Sequence, residues 1–165
     1  LLALVRDMNA HTRFVAMALR DSGNLIGADS VLTWRTGYPF GVNLSRGYPR
    51  FNPGEYTAEE MLSRGEVDAA LVVADDPMSS LSRAAREHLA RIGLVALDAR
   101  ETATTRAAAV AFTTARYGIE TSGTVYRMDD VPLPLRPALE SPYASDFEVL
   151  AGIERRVQEL KNADG

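Results

Sequence analysis

Two short apolar runs, Asp68-Ala-Ala-Leu-Val-Val-Ala74 and Leu94-Val-Ala-Leu97, flank a set of apolar residues at helical spacing, and this alternation constrains the fold most. Each run is continuous and bounded by polar turn residues, the pattern of a strand buried on both faces of a parallel sheet. Between them Leu81, Ala84, Ala85, His88, Leu89 and Ile92 recur as a helix stripe, with Ser79 or Ser80 as its N-cap and Gly93 as its stop. Residues 68–97 thus read as a β-α-β unit, and Ala107–Thr113 as a further short strand. The fold class this predicts is α/β, a Rossmann-like open and mainly parallel sheet with flanking helices.

Around that core the chain reads as one domain, 1–165. Leu4, Val5, Met8, Thr12, Val15, Ala16 and Leu19 predict a helix over 2–20, ended by Asp21-Ser22-Gly23-Asn24. From Ile26 to Tyr56 periodicity disappears, and five Gly with Pro39, Pro49 and Pro53 predict a long loop over 26–56. Its aromatic residues, among them Trp34, Tyr38, Phe40, Tyr48 and Phe51, argue that the loop is ordered. The two Gly-Tyr-Pro copies at 37–39 and 47–49 read as two turns. Thr57-Ala-Glu-Glu60 fits a capping box opening a short helix to about Arg64, stopped by Gly65; the core and its turns then occupy 57–137. Ser145-Asp-Phe-Glu148 is a second such box, and Phe147, Leu150, Ile153, Val157 and Leu160 predict a helix over 145–161 packed onto the sheet, with a frayed tail.

Composition removes several function classes. A net charge of −4 argues against a nucleic-acid surface. With no cysteine the chain holds neither a disulfide, nor a thiolate metal site, nor an iron–sulfur cluster. The opening LLALVRDMNA lacks an initiator Met, a basic n-region and a cleavage site, so it reads as neither signal peptide nor membrane span but as a fragment starting inside a larger protein, and the lack of cysteine is compatible with a cytoplasmic one. Seventeen of the eighteen basic residues are Arg, a bias read as the mark of a GC-rich bacterial genome.

Candidate chemistry gathers where strands end. Asp75-Asp76-Pro77 follows one strand, where open α/β sheets bind ligands; a plain turn is the competing reading. Asp98 ends the next strand and could accept from ribose or base groups, or be a turn carboxylate before Arg100. Thr102, Thr104 and Thr105 could set hydroxyls on a phosphate at a helix start, or simply cap that helix. No G-x-G-x-x-G, P-loop or G-x-S-x-G occurs, and His11 and His88 lack partners at metal-ligand spacing, so no nicotinamide, ATP, metal or hydrolytic site is expected. In the long loop Arg46 and Arg50, set among Gly and Pro hinges with Tyr38 and Tyr48, could fork onto an anion or a partner's carboxylate, or the loop could only pack its aromatics.

The run from Val95 to Pro137 carries a resemblance. Its Thr-rich turn, Gly118-Ile-Glu120, Gly123-Thr-Val-Tyr-Arg-Met-Asp129 and Val131-Pro-Leu-Pro-Leu-Arg136 resemble the last nucleotide-binding region of molybdopterin oxidoreductases. There a similar Thr-rich turn and an E-x-x-G-T turn flank the pterin cofactor. Together with Leu4–Asn9 and Leu32–Glu55, the pattern most resembles the C-terminal part of the formylmethanofuran dehydrogenase B subunit, closest to the B-type subunit of the bacterial formyltransferase/hydrolase complex.

That resemblance implies a place in one-carbon metabolism, with the other subunits of such a complex as partners and neither nucleic acid nor membrane involved. The cluster and the molybdenum or tungsten ligand would lie in the N-terminal half of the family's chain. If the family's activity is retained, molybdopterin guanine dinucleotide is the implied cofactor, with Asp75, Asp76, Asp98, Thr102, Thr104, Thr105, Gly123 and Thr124 around it. One departure stands against that. Ala109 and Thr113 replace the Asp and Pro usual in an A-D-V-V-x-P segment. The expectation is therefore a cofactor-free, non-catalytic structural subunit of a complex acting between formaldehyde and formate, with no catalytic residue in this chain. The alternatives are the dinucleotide-binding domain of an active dehydrogenase acting on carbon dioxide and formate, and a free-standing nucleotide-binding domain.

Overall fold

The computed structural model describes residues 1–17 and 24–163. The end of the expected first helix, Asp21–Gly23 of its stop and the last two residues of the tail lie outside them. The chain builds a three-stranded parallel sheet from β3 (Ala69–Val73), β4 (Gly93–Asp98) and β5 (Val110–Thr113), in the order β3-β4-β5. Register runs Leu71 opposite Val95 opposite Val110, and Val73 opposite Leu97 opposite Phe112. The β-α-β unit and the third strand stand where sequence placed them, inside an α/β structure with helices against the sheet.

The core lies on one face. Leu62 of α3 (Ala58–Ser63), Ala85 and Leu89 of α5 (Arg83–Leu89) and Leu94 of β4 form its buried centre, with Ala70, Val72, Met78 and Leu81 packed against it. The opposite face is only partly covered. Leu71 is 50% exposed and Val110 47%, so β3 and β5 are not buried on both faces as their apolar runs predicted. The physical reason is that the helices of this core pack on the side of Ala70, Val72 and Leu94 alone.

The helix starts depart from expectation in instructive ways. Proline opens the four-residue α4 (Pro77–Ser80), Leu81 is extended, and the cap of α5 is Ser82, whose hydroxyl accepts the Ala85 N–H at 3.3 Å. Neither Ser79 nor Ser80 caps it. Thr57 precedes α3 without a capping hydrogen bond; Glu59 instead accepts the Ser82 N–H at 3.0 Å, tying α3 to α5. Gly65 does stop α3. At φ +70° it closes a Schellman turn, its N–H donating to Leu62 and that of Glu66 to Met61.

Among the described residues, the expected helix over 2–20 forms only as α1 (Leu2–Met8), because Asn9 folds back. Its amide donates to the Val5 carbonyl at 2.6 Å and the Phe14 carbonyl at 2.7 Å, and competes with further helix. The expected loop over 26–56 instead starts as α2 (Leu25–Thr36). Its apolar residues circle the helix, leaving Val31 and Trp34 exposed, so no stripe marks it in sequence. Gly37, at φ +87°, ends it, and Gly47, at φ +79°, turns the antiparallel hairpin of β1 (Val42–Asn43) and β2 (Arg50–Phe51), so the Gly-Tyr-Pro copies are two turns.

A second antiparallel hairpin, β6 (Gly123–Tyr126) with β7 (Pro132–Leu135), precedes α7 (Asp146–Ala163). The Ser145 capping box forms as predicted: Ser145 N–H donates to Glu148 at 2.8 Å and Glu148 N–H to the Ser145 hydroxyl at 3.3 Å. The stripe of α7 does not pack onto the sheet, since Phe147 is 79% exposed and no described residue of the helix is buried.

Candidate functional site

The carboxyl ends of β3, β4 and β5 open onto one edge, and the candidate residues divide there by what they bond. Asp76 is engaged by the chain itself. Its Oδ1 accepts the Thr104 N–H at 2.8 Å and the Thr104 hydroxyl at 2.6 Å, and its Oδ2 accepts the Ser79 hydroxyl at 2.5 Å. Thr104, fully buried, also accepts the Met78 N–H at 3.1 Å. Burial pushes the Asp76 carboxyl towards its neutral form, but the hydrogen bonds from Ser79, Thr104 and the Ala103 N–H together hold it below the usual carboxylate range. Asp75 is exposed and accepts the Asp76 N–H at 2.8 Å.

The Thr-rich turn satisfies itself in the same way. Thr102 and Thr105 form a reciprocal capping box at the start of α6 (Ala103–Ala107): Thr105 N–H donates to the Thr102 hydroxyl at 3.1 Å and Thr102 N–H to the Thr105 hydroxyl at 2.8 Å. The donors expected to greet a phosphate are therefore taken up in closing the turn and in clasping it to the β3–α4 loop.

Asp98 is different. It is 8% exposed, and one oxygen accepts the Arg100 N–H at 2.9 Å while the other makes no hydrogen bond among the described residues. A cavity of about 340 Å³ opens beside it, lined by Ala74, Asp98, Arg100, Arg116, Tyr117 and Asp146. Its volume lies in the range of small-molecule sites. Two backbone features shape it. Ala74, at φ +53°, turns the chain out of β3 while its N–H donates to Leu97 at 2.8 Å. The Ala115 N–H donates to Ala144 at 2.9 Å, bringing the start of α7 beside the end of β5. A second cavity of about 330 Å³ on the other side of Asp98 takes in Thr105 and Thr113.

Gly123 and Thr124 fall elsewhere, in a wide apolar groove between α2, β6 and α7. There Asn24 pairs with β6 like a strand: its amide donates to the Thr124 carbonyl at 3.0 Å and its Oδ1 accepts the Tyr126 N–H at 2.8 Å. Gly27 leaves room for that side chain, since a Cβ there would sit 2.6 Å from Asn24 Oδ1. Sequence reasoning missed Asn24, which looked like a helix stop, and Asp146, which looked like a first-turn acid within a capping box. An Asx residue before a hidden helix was the only available signal for the first.

The departure at Ala109 and Thr113 also has a place. Ala109 precedes β5 at the amino edge of the sheet, its N–H donating to Leu94 at 2.9 Å. Four residues at about 3.3 Å each put it about 13 Å from the carboxyl edge, so an Asp there would not face the cleft. Thr113 does border the cleft, paired in register with Asp98.

At the β1–β2 hairpin the two arginines separate. Arg50 is consumed as a staple, donating to the Tyr56 hydroxyl, Asn43 Oδ1 and Ser45 Oγ at 3.0 Å each and lying over the Tyr56 ring at 5.0 Å. Tyr38 stacks on Phe51 with centroids 5.0 Å apart. Arg46 and Tyr48 stand exposed in the connecting turn. Among the described residues no cluster of His, Asp or Glu could hold a metal, and no helix is long and apolar enough to cross a membrane. His88 is structural, its Nε2 2.8 Å from the Val67 carbonyl oxygen.

No protein-family model matches the chain. It is 46% identical, over 95% of its length, to the B subunit of the tungsten-containing formylmethanofuran dehydrogenase 2 of Methanocaldococcus jannaschii, and 42% identical to that of Methanococcus maripaludis. It spans 37% of the length of each of these relatives. Against the B subunit of the formyltransferase/hydrolase complex of Methylorubrum extorquens it is 34% identical over 45% of the chain and 20% of that relative. The crystal structure of that complex with methylofuran contains a chain matching 96% of this one and 44% of its own length, at a TM-score of 0.76 and 24% identity, which establishes the shared fold. The chain is thus homologous to the B subunit of formylmethanofuran dehydrogenase.

Proposed function

We propose that this chain, as a homologue of the formylmethanofuran dehydrogenase B subunit, is the domain of such a subunit that holds the nucleotide end of a pterin dinucleotide. The metal on the pterin would supply the redox chemistry between carbon dioxide and formate, and the residues here would bind and orient the nucleotide. The observation that carries this reading is Asp98, a buried carboxylate with one oxygen unbonded, at the carboxyl edge of a parallel sheet and beside a cavity of about 340 Å³. The chain leaves that oxygen free as an acceptor, and the ring N–H and amino groups of a guanine are donors of the kind it takes. The 46% identity with a tungsten-containing relative supports the same reading. Its partners would be the remaining subunits of the dehydrogenase.

A second reading, the non-catalytic scaffold of a formyltransferase/hydrolase complex, is favoured by the self-satisfied Thr102–Thr105 turn and by Thr113. The two readings part on Asp98→Asn in the full-length complex. Nucleotide retention at least tenfold lower than in the unaltered complex, with an unchanged Tm, fits the cofactor domain; equal retention, or none in either protein, contradicts it.

A further inference from the structure

We infer that the open face of the parallel sheet and the apolar groove beside it form one interface, and that its occupant is an apolar helix layer from the part of the B subunit that the relatives carry outside the region matched here. Paired residues of a parallel sheet point to the same side, so Leu71, Val95 and Val110 make one row of the open face and Val73, Leu97 and Phe112 the next. Leu97 is buried, but Leu71, Val73, Val110 and Phe112 are between 36% and 50% exposed. The face reaches the groove of about 1100 Å³ between α2, β6 and α7 through Val73, which lines it together with Trp34 and Phe147, 70% and 79% exposed. The inference stands apart from the nucleotide reading, since a subunit without nucleotide has the same face to cover.

The crossovers of this chain cannot cover that face. Strand order β3-β4-β5 advances in one direction, and right-handed crossovers taken in one direction place their helices on one side, here the side of Ala70, Val72 and Leu94. Parallel sheets occur almost only with both faces covered, so a further segment must supply the second layer. Two observations say which. Among the described residues lining the groove, only Arg35 and Asp146 are charged. Surfaces shared by separately folded partners are about as polar as ordinary surface, whereas a charge-poor apolar face resembles a domain core cut in half. The chain also spans 37% of the length of its two tungsten-enzyme relatives, so nearly two thirds of such a subunit lies outside the match and is long enough to form the layer. A cover from the same subunit hides the face as that subunit folds, before the face meets other molecules.

The test is hydroxyl-radical footprinting of the unaltered full-length B subunit, first freed of the other subunits and then within the complex. In the freed subunit Leu71, Phe112, Trp34 and Phe147 should each be oxidised at least fivefold more slowly than in the same subunit unfolded in urea, and adding the other subunits should change these rates less than twofold. Rates in the freed subunit less than fivefold below the unfolded ones overturn the inference. If protection then appears in the complex, another subunit covers the face; if it appears in neither, the face is open to water. Should the subunit not survive separation, a photoreactive benzoyl group carried on the ring of Phe112 in the complex decides. Its cross-link should fall on a peptide of the same B subunit outside the region matched here, and a cross-link to another subunit, or to none, contradicts the assignment.

Discussion

Asp76 and Thr104 are locked together across the mouth of the sheet, one carboxylate oxygen accepting both the N–H and the hydroxyl of the threonine, at 2.8 and 2.6 Å. The pair joins the loop after β3 to the start of α6, so Asp76, a candidate ligand or turn residue in sequence, is bonded within the chain at the carboxyl edge of the sheet.

Thr104→Val should therefore cost about 1–3 kcal/mol, the range for leaving buried partners unsatisfied. Thr104→Ser, which keeps the hydroxyl, should stay close to the unaltered protein. Urea unfolding of the three proteins checks this, and equal midpoints would show that the clasp carries no stability.

The same carboxylate sets a pH dependence. Its pKa is lowered in the folded protein, so the unfolded chain binds the proton more readily and stability rises with pH across the interval between the two values. The contribution is complete above the unfolded value, about 3.9, and is lost as pH falls through the lower folded one. Glu148, held down by the Ser145 N–H and then by the Ser145 hydroxyl, acts in the same direction. Asp76→Asn should flatten the acid limb of a Tm-against-pH profile more than Glu148→Gln, because Asp76 bridges two elements while Glu148 closes an exposed turn.

Asn24 and Gly27 should behave as one unit. A Cβ at Gly27 would collide with the Asn24 amide, so Gly27→Ala alone should cost about 1–3 kcal/mol by breaking both bonds to β6. In an Asn24→Ala background the same change should be neutral, or stabilising by up to about 1 kcal/mol from helix propensity. A double-mutant cycle reads the coupling, and additive effects would show that the contact does not matter.

The hairpin arginines should separate as their contacts do. Arg50→Ala removes three hydrogen bonds and the Tyr56 ring contact and should destabilise the β1–β2 hairpin, seen as faster amide exchange at Asn43 and Arg50. Arg46→Ala, in the exposed turn, should leave exchange unchanged and weaken assembly with neighbouring subunits. Unchanged assembly would remove Arg46 from the interface.

The parallel sheet was legible because its strands are short apolar runs divided by Gly93 and a helix stripe, and local pattern decides such elements. Whether both faces are covered was not legible, since an apolar run looks the same with one face open, as Leu71 and Val110 have it. Helix α2 was hidden because its apolar residues follow no single stripe and Gly27 reads as a breaker until Asn24 is seen lying over it. At the site, Asp98 could be read from its place at a strand end. The fates of Asp76, Thr102, Thr104 and Thr105 could not, because their partners are one another, and Asp76 and Thr104 lie 28 residues apart in the chain. Asp146 reaches the cleft through a backbone bond between Ala115 and Ala144 that no motif announces.

Under the proposed function a guanine nucleotide lies against Asp98. Acid hydrolysis of the purified full-length complex, with chromatography of the released nucleotide and metal analysis of the same sample, tests it most directly. The prediction is stoichiometric GMP accompanied by tungsten or molybdenum. The full-length protein recovered intact in its complex with neither GMP nor metal would contradict it and leave the scaffold reading in its place.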